Sequence, residues 1–382
     1  MNAYLLIEKD KTIEPFGEHP RQCLIANKKL CDYQREVLVK LGINYNIASS
    51  VPDHNFREEY IVFGESIYFT SEFISRFIAE SRKTGCATVC GLKKDITTMR
   101  TAVNLQDIQD RGEYVELNLR YFPQDYSSRG KTTVVLIGCD QLDCSVPAPY
   151  HMCGNTNGYS APMTDVFAVQ INHWVNLWSA NILTVLANIA RIRKMPKWKL
   201  APWKIFWNLN TVGTNCHIHK TACVEASVIG NNVTIEAGAI VRASIIGDNA
   251  HIGNGVVVEE SVIGDGCKIL HGHILFSVFY PGTFSVAGFI SASLTGKDVF
   301  IGANATLTDF RFDGKNVTVL NNNKKTDSGN LFLGACLGHK VYIGAQCVIA
   351  PGRAVPNNLR ICRKDMFIGD NPDKENFQIE PF

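Results

Sequence analysis

A repeat of constant length begins near residue 212 and limits what the second half of the chain can fold into. Pairs of an aliphatic residue and a glycine recur every 17 residues, at Val212, Ile229, Ile246 and Ile263. Within each step the aliphatic positions lie six, six and five residues apart. A parallel β-helix needs this spacing, because one aliphatic side chain points inward from each flat face and small residues occupy the corners. The repeat predicts a left-handed parallel β-helix over residues 211–382.

The repeat is interrupted twice. The six-residue spacing is lost over residues 268–293, returns at Ile301 and Leu307, and is lost again around residues 321–325. It then resumes in a series of aliphatic residues that lie six apart: Leu331, Leu337, Ile343, Ile349, Val355 and Ile361. Because loops that leave a rigid scaffold often carry binding groups, we expect both interruptions to be loops that hold candidate site residues.

The chain before the repeat has a mixed α/β pattern. Residues 3–7 and 60–63 are short apolar runs typical of buried strands, whereas residues 32–41 and 71–82 carry apolar side chains at helical spacing. Alternation of strands and helices favours a parallel sheet. Ligands of such sheets lie at the carboxyl ends of the strands, so we expect a phosphate-binding loop after Ile7. These patterns predict an α/β domain over residues 1–163 and a connecting segment over residues 164–210.

Two segments of the α/β region carry a family resemblance. Residues 20–30, PRQCLIANKKL, and residues 60–65, YIVFGE, resemble the second motif and the magnesium-binding strand of sugar-1-phosphate nucleotidyltransferases. The resemblance implies a Rossmann-like domain with Glu65 at the position of the metal-binding aspartate. Lys11, Arg21 and Lys28 would hold nucleotide phosphates in such a domain as point charges.

The expected phosphate-binding loop departs from that family's motif. Glu8 and Asp10 replace two glycines, and Thr12 stands where the family has its catalytic arginine. Two carboxylates at this place would repel the phosphates that backbone amides otherwise approach. We therefore expect a domain that keeps the nucleotidyltransferase shape and has lost its chemistry. The alternatives are an active nucleotidyltransferase with a remodelled loop, which would use Mg²⁺, and a domain that binds sugar nucleotides without turnover.

A segment without formal charge lies between Asp165 and Arg191, and its apolar side chains recur three or four residues apart, which indicates a helix. Its five asparagine and glutamine side chains would be costly in hydrocarbon, so a helix packed between two domains is favoured over a membrane span. Residues 191–207 then hold six basic residues and three tryptophans but no acidic residue. We interpret them as an ordered linker that caps the β-helix, with contact to a membrane surface as the alternative. The net charge of +2 offers no argument for a nucleic-acid partner.

Residues 301–315, IGANATLTDFRFDGK, resemble a segment of the hexapeptide-repeat acyltransferases. Together with the α/β region in front, the whole plan resembles the bifunctional N-acetylglucosamine-1-phosphate uridylyltransferases that also acetylate glucosamine 1-phosphate. Asp313 matches that family's Asp-Gly pair, whereas Arg311 and Phe312 replace its asparagine and tyrosine. The resemblance implies a homotrimer that holds acetyl-CoA in the groove between adjacent solenoids, near Ala303, Arg311 and Asp313.

Acyl transfer to an amine or hydroxyl requires a general base with a pKa near neutrality, and histidine is the usual choice. His271 and His273 lie in the first interruption, on one face if they alternate along a strand, and His339 begins a regular coil. The family's own base lies in a segment that corresponds to residues 282–288, where this chain has no histidine. We select His273 and His339 as candidate bases.

Trimeric carbonic anhydrases of the same solenoid class bind zinc through histidines, but no spacing of the six histidines after residue 211 matches their set. No metal site is therefore predicted.

These observations predict an acyltransferase-like protein that acts on or binds a sugar phosphate or sugar nucleotide. A non-catalytic sugar-nucleotide-binding or scaffold protein and an active sugar-1-phosphate nucleotidyltransferase are the alternatives. The apolar run at residues 3–7 is too short for a signal peptide, so we expect a cytoplasmic protein. Its 13 cysteines, none of them in a CxxC pair, are then expected to be small buried apolar residues.

Overall fold

The computed structural model describes residues 1–8, 11–48, 50, 58–124, 126, 132–139, 142–146, 159–194 and 209–363. The chain divides into two compact units. The first contains Met1–Ile13, Glu18–Pro147 and Gly158–Ala190, and the second contains Glu14–Gly17 and the described residues from Arg191 onward. Asp10 of the expected phosphate-binding loop and residues 195–207 of the basic linker lie outside the described residues.

The first unit contains the α/β elements. In chain order they are β1 (Asn2–Leu6), β2 (Leu24–Ile25), β3 (Lys28–Lys29), α1 (Leu30–Lys40), β4 (Asn44–Ala48), β5 (Tyr60–Gly64), β6 (Ile67–Phe69), α2 (Ser71–Thr84), β7 (Ala87–Lys93), α3 (Ile96–Arg100), β8 (Gln109–Asp110), β9 (Tyr114–Phe122), β10 (Thr132–Ile137), β11 (Leu142–Val146), β12 (Tyr159–Met163), β13 (Ala168–Gln170) and α4 (Trp174–Lys194). The strands and helices expected near residues 3–7, 60–63, 32–41 and 71–82 are all present.

The main sheet of this unit is mixed, with the strand order β10-β7-β9-β5-β1-β4 and with β8 paired to β9. β1 is parallel to β4 and to β5, but β9 is antiparallel to both of its neighbours, β5 and β7. The expectation of a purely parallel sheet was therefore wrong. Between β7 and β9 the chain forms the five-residue α3, a 3-10 turn at Val103–Leu105 and β8, which pairs with β9. This connection returns at the same end of the sheet instead of crossing it.

The long uncharged helix begins later than expected. α4 starts at Trp174, and the residues before it form β13, which pairs with β6. The side-chain amide of Asn176 donates to the carbonyl of Thr101 at 2.9 Å, and that of Asn181 donates to the carbonyl of Leu24 at 3.0 Å. These partners belong to the first unit and satisfy the polar groups that a lipid environment would leave unpaired. In the part of the chain that the structure describes, no helix has the length and apolar character needed to cross a membrane.

The second unit is a left-handed parallel β-helix with three flat faces, each a parallel sheet. The strands of the first face are Thr211–Val212, Val228–Ile229, Ile245–Ile246, Val262–Ile263, Val278–Phe279, Leu294–Thr295, Cys336–Leu337 and Ala354–Val355. The strands of the second face are His217–Ile218, Thr234–Ile235, His251–Ile252, Lys268–Ile269, Phe284–Ser285, Phe300–Ile301, Tyr342–Ile343 and Arg360–Ile361. The strands of the third face are Cys223–Glu225, Ile240–Arg242, Val257–Glu259, His273–Leu275, Phe289–Ser291, Thr306–Leu307 and Val348–Ile349.

The aliphatic positions of the repeat form the core of this unit. Ile229, Ile246 and Ile263 are register partners in successive coils and are buried with their counterparts on the other two faces. The thiols of Cys267 and Cys336 are buried as expected, whereas that of Cys362 is exposed. These three periodic residues therefore face inward, as the sequence predicted, whereas Val212 in the first coil is 47% exposed.

The first interruption is not a loop, contrary to expectation. Residues 268–293 continue all three faces, but the coil is one residue shorter, because Ile263 pairs with Phe279, 16 residues later. Phe279 and Ser285 take inward positions where the repeat has aliphatic residues, and both are fully buried. The shorter step and the changed residue types together hide the coil from a search for aliphatic residues at a spacing of six.

The second interruption does leave the solenoid. An antiparallel hairpin of Thr318–Asn321 and Lys324–Asp327 is inserted into one coil, while the first face continues directly from Leu294–Thr295 to Cys336–Leu337. Leu331 lies outside the core, although it has the expected spacing, because the coil resumes only after it.

Buried serines form a ladder along one corner of the solenoid, at Ser227, Ser244, Ser261, Ser277 and Ser293. The hydroxyl oxygens of the first four accept the backbone N–H of the serine in the next coil at 3.0–3.1 Å, and that of Ser293 accepts the backbone N–H of Ala335 at 3.1 Å. Each hydroxyl also donates to a carbonyl two residues earlier in its own coil. The ladder thus pairs backbone groups at a bend where strand hydrogen bonds stop.

Candidate functional site

His273 lies on the third face of the β-helix, at the start of the strand His273–Leu275. Its register partners are Val257 in the preceding coil and Phe289 in the following one. The imidazole meets the Phe289 ring edge-on, with a centroid separation of 5.6 Å. His271 does not share this strand but is exposed in the turn before it, so the expected alternation of the two histidines on one strand face was wrong.

A ladder of charges crosses the coils beside His273. Glu225, Arg242 and Glu259 are register partners on the third face. Arg242 contacts Glu225 through Nε at 3.1 Å and Oε1 of Glu259 through Nη1 at 3.2 Å. The other carboxylate oxygen of Glu259, Oε2, lies 3.0 Å from Nε2 of His273. We call Glu225, Arg242, Glu259 and His273 the charge ladder.

The charge ladder determines which imidazole nitrogen can accept a proton. A carboxylate only accepts hydrogen bonds, so Nε2 of a neutral His273 carries the hydrogen and donates it to Glu259. The lone pair is then on Nδ1, and the Glu259 carboxylate stabilises the imidazolium that forms when Nδ1 takes a proton. The pair therefore has the geometry of a general base with its orienting group.

Glu260 follows the charge ladder at a corner of the coil, with a positive φ of 43°. The same corner holds Phe276 in the next coil and alanine in three others, Ala226, Ala243 and Ala292. Burial raises the pKa of Glu260 to about 7, and the negative charge of Glu259 adds to the effect. The sequence analysis did not select Glu260, but a glutamate where the repeat has alanine is a signal that could have identified it.

His339 has a different environment. Its Nδ1 accepts the backbone N–H of Lys297 at 2.9 Å, and its own backbone N–H donates to Oδ1 of Asn357 at 2.7 Å. The Phe16 ring lies against the imidazole, with centroids 5.1 Å apart. Asp248 and Asp265 cap preceding coils with the same type of hydrogen bond. Because Nδ1 is used in this capping contact, His339 is held as a structural residue, and we favour His273 as the base.

The residues expected to bind acyl-CoA lie near the inserted hairpin. Ala303 is exposed at a corner, and its carbonyl accepts the backbone N–H of Gln346 at 2.8 Å. Arg311 binds both carboxylate oxygens of Asp313. The hydrogen bond from Arg311 is the main cause that lowers the pKa of Asp313 to about 2. Phe312, between these two, is fully exposed.

A hydrogen bond connects this loop to the strand next to His273. Ser291 donates to Oδ2 of Asp309 at 2.6 Å, and Ser291 is the register partner of Leu275 in the strand that begins with His273. Burial raises the pKa of Asp309. The structure thus anchors the loop that carries Arg311 and Asp313 one coil away from the charge ladder.

The residues expected to bind phosphates in the first unit already face charged partners within the protein. The buried carboxylate of Glu65 accepts the backbone N–H of Glu8 at 2.6 Å, and His19 Nε2 and Arg21 Nε lie 3.1 Å and 3.7 Å from its oxygens. Lys11 forms a pair with Glu8 at 3.1 Å. Lys28 instead pairs with Glu36 at the surface.

This arrangement does not fit a magnesium ion. The side chain of Glu65 is only 1% exposed. Its Oε1 accepts the backbone N–H of Glu8 and lies next to His19, and its Oε2 faces Arg21 without a hydrogen bond among the described residues. Magnesium demands near-octahedral oxygen ligands and keeps several waters, for which a buried carboxylate among cations offers no room. Within the described ranges, no group of three or more histidine, cysteine or acidic residues is arranged to hold a metal ion.

Comparison with known proteins gives a match to the repeat. Residues 208–281 match the family model of the GMPPB C-terminal domain. The match falls on the first coils of the segment that the sequence assigned to the β-helix. No curated protein matches the chain.

One solved structure that matches is PerB from Caulobacter crescentus, determined at 1.0 Å in complex with CoA and GDP-perosamine. Sequence identity is 21%, the TM-score is 0.23, and the alignment covers 39% of this chain and 54% of PerB. The chain thus spans about half the length of that protein.

Proposed function

We propose that the protein is an acyltransferase that transfers an acyl group from acetyl-CoA to an amine or hydroxyl of a sugar phosphate or sugar nucleotide. The observation that carries the proposal is the contact of His273 with Glu259 on the third face of the solenoid. A histidine oriented by a carboxylate is the arrangement that general-base catalysis of acyl transfer requires.

In the proposed reaction Nδ1 of His273 accepts the proton of the attacking amine or hydroxyl, and a new bond forms from that nitrogen or oxygen to the acyl carbon. The carbon–sulfur bond breaks, and the imidazolium returns the proton to the departing thiolate. Glu259 keeps Nε2 hydrogen-bonded during both transfers. Acetyl-CoA supplies the activated acyl group when it is bound.

The residues near the inserted hairpin fit such a donor. Arg311 is paired with Asp313 at the surface, where solvent screens an ion pair and leaves it little net stability. A coenzyme phosphate can therefore replace Asp313 as the partner of Arg311 at little cost. Ala303 has no side chain beyond Cβ at its exposed corner, so it would allow close approach of the coenzyme.

We propose that the first unit does not catalyse nucleotidyl transfer. Glu65, Lys11 and Arg21 neutralise groups of the protein itself and are not directed at a ligand. Incubation of the protein with nucleoside triphosphates, sugar 1-phosphates and Mg²⁺ should release no pyrophosphate, and release would contradict this part of the proposal.

The proposed assembly is a homotrimer, in keeping with the acyltransferase resemblance. The proposed location is the cytoplasm. Residues 191–207 stay a candidate for contact with a membrane surface.

The decisive experiment measures release of free CoA thiol from acetyl-CoA with a panel of amino sugar phosphates and sugar nucleotides. His273→Gln should lower the rate by about 100-fold or more, because a general base contributes that much. His251→Gln is the matched control, since His251 is also a half-buried solenoid histidine near a glutamate, 3.9 Å from Glu236. Equal rates for wild type and His273→Gln would contradict the assignment, and absence of any transfer would favour a non-catalytic sugar-nucleotide-binding protein.

A further inference from the structure

A crevice between strand ends in the first unit holds a second cluster of charges. β4 and β5 flank β1 on opposite sides, so the chain reverses its winding direction around β1. In open α/β sheets, ligands bind beyond the carboxyl ends of the strands at such a reversal point. Glu8 follows β1, and Glu65 and Ser66 follow β5. The structure thus places two carboxylates where a ligand is expected.

The carboxylate of Glu8 has the partners that a phosphate would have. Its Oε2 accepts the ammonium of Lys11 at 3.1 Å and the hydroxyl of Ser66 at 3.1 Å. Its Oε1 lies so close to Gly64 that a Cβ there would come within 2.6 Å of it. An ammonium, a hydroxyl and a glycine gap are common components of phosphate sites.

Glu65 plays a separate role in the same crevice. His19 and Arg21 face its carboxylate, and the backbone N–H of Glu8 donates to it. Lys11 and Ser66 contact Glu8 and not Glu65. The crevice therefore contains two charge sets, and removal of the Glu8 side chain leaves the Glu65 set intact.

Lys11 and Glu8 are both largely buried, so the charge of each depends on the other for neutralisation. The side chain of Lys11 is only 15% exposed, and that of Glu8 is 24% exposed. A largely buried ammonium that loses its partner carries an uncompensated charge and binds a replacement anion strongly. The same ammonium with its partner in place has no charge left to offer.

We propose that the Glu8 carboxylate occupies an anion-binding site of the first unit, formed by Lys11, Ser66 and the gap at Gly64. In the wild-type protein this carboxylate excludes phosphoryl groups. Without it, the site accepts the phosphoryl group of inorganic pyrophosphate or of a nucleotide. This inference does not depend on acyl transfer by the solenoid.

The test compares two substitutions at one position. Glu8→Ala empties the site, whereas Glu8→Gln removes the charge but keeps the space filled with an amide that still contacts Lys11 and Ser66. Isothermal titration with inorganic pyrophosphate should give at least about ten-fold tighter binding to Glu8→Ala than to wild type, because charge-assisted hydrogen bonds to a largely buried ammonium become available. Glu8→Gln should bind pyrophosphate more weakly than Glu8→Ala, because its amide still fills the site.

Two double variants distinguish binding at the proposed site from non-specific binding of the anion. The double variant Glu8→Ala, Lys11→Met should lose the gain in binding, whereas Glu8→Ala, Lys28→Met should keep it, since Lys28 contacts Glu36 instead. If Glu8→Ala unfolds because Lys11 is unpaired, pyrophosphate should restore its folding, as followed by circular dichroism, and Glu8→Gly should behave in the same way.

Three outcomes would overturn the proposal. The first is wild-type protein that binds pyrophosphate as tightly as Glu8→Ala, and the second is equal binding by Glu8→Gln and Glu8→Ala. The third is neither binding nor anion-dependent folding in both Glu8→Ala and Glu8→Gly. None of these outcomes affects the assay of acyl transfer at His273.

Discussion

The third face of the solenoid and the crevice of the α/β unit use similar residue types with opposite results. On the solenoid, Glu259 divides its carboxylate between Arg242 and His273, and Nδ1 of the imidazole keeps its lone pair. In the crevice, the buried carboxylate of Glu65 faces His19 and Arg21, and Lys11 is paired with Glu8. The number of partners and the depth of burial, more than residue type, decide whether a charged group can meet a ligand.

The geometry of the two regions explains the difference. On a flat parallel sheet, outward side chains are spaced by the strand separation, so a carboxylate meets only the residues of adjacent coils. At the ends of β1 and β5, several chain segments converge on a small volume. Charged groups there must be neutralised locally, because an unpaired buried charge is costly.

The largest effect on the solenoid is expected from Glu260→Ala. The folded-state pKa of Glu260, about 7, lies above the ordinary value of 4.5. Below pH 4.5 the carboxyl is protonated in both states, and as the pH rises towards 7 the unfolded chain ionises first, so the wild type loses stability. The variant should therefore gain up to about 3 kcal/mol at pH 8 and little at pH 4. Guanidinium unfolding at both pH values measures this, with Glu236→Ala as the control, and an equal gain at both would contradict the prediction.

Glu259→Gln tests the orienting role proposed for the charge ladder. The glutamine amide cannot stabilise an imidazolium as a carboxylate does, so kcat for acyl transfer should fall by about 10- to 100-fold with little change in KM. Steady-state release of CoA thiol measures the effect. Glu225→Gln, at the far end of the ladder, is the matched control and should change kcat much less. Similar losses in both variants would show that the ladder acts only through stability.

Lys11→Met and Lys28→Met compare a buried with an exposed ion pair in the α/β unit. In Lys11→Met the carboxylate of Glu8, which is only 24% exposed, has lost its cation. We therefore expect the free energy of unfolding to fall by about 2 kcal/mol. Lys28 and Glu36 are 52% and 58% exposed, so the loss should stay below about 0.5 kcal/mol. Thermal unfolding of both variants gives the difference, and equal losses would remove burial as the explanation.

Ser261→Ala should give the smallest of these effects. The substitution removes the acceptor for the buried backbone N–H of Ser277, which costs about 1 kcal/mol. Chemical unfolding measures the loss. Thr234→Ala, on the outer side of the second face, should change stability by less than about 0.5 kcal/mol. An unchanged midpoint for Ser261→Ala would mean that the serine ladder is not needed for corner stability.

Much of the fold could be predicted because the repeat is local. Ile229, Ile246 and Ile263 each specify one inward position, and the spacing alone aligns them. The coil at residues 268–293 escaped prediction because Phe279 and Ser285 fill inward positions by volume and hydrogen bonding, which a pattern of aliphatic residues does not contain. The antiparallel direction of β9 was not predicted, because strand direction depends on the end of the sheet to which the chain returns.

For the candidate sites, the sequence predicted which types of residue are involved but not which contacts they make. His273 and His339 are both solenoid histidines near glycines in the sequence, yet one contacts a carboxylate and the other caps a coil. Glu259 precedes His273 by 14 residues, a separation that becomes a contact only after the chain completes a coil. No sequence signal distinguishes these two environments.

The sequence by itself determined the triangular coil, because each inward aliphatic residue and each tight corner is encoded within 17 residues. It also determined that the loop after β1 carries carboxylates instead of glycines. The tertiary structure alone decided what those charges do, because pairing depends on segments far apart in the chain. It brought Glu259 to His273 and left a lone pair for chemistry, and it brought Lys11 to Glu8 and closed the crevice with the protein's own ions.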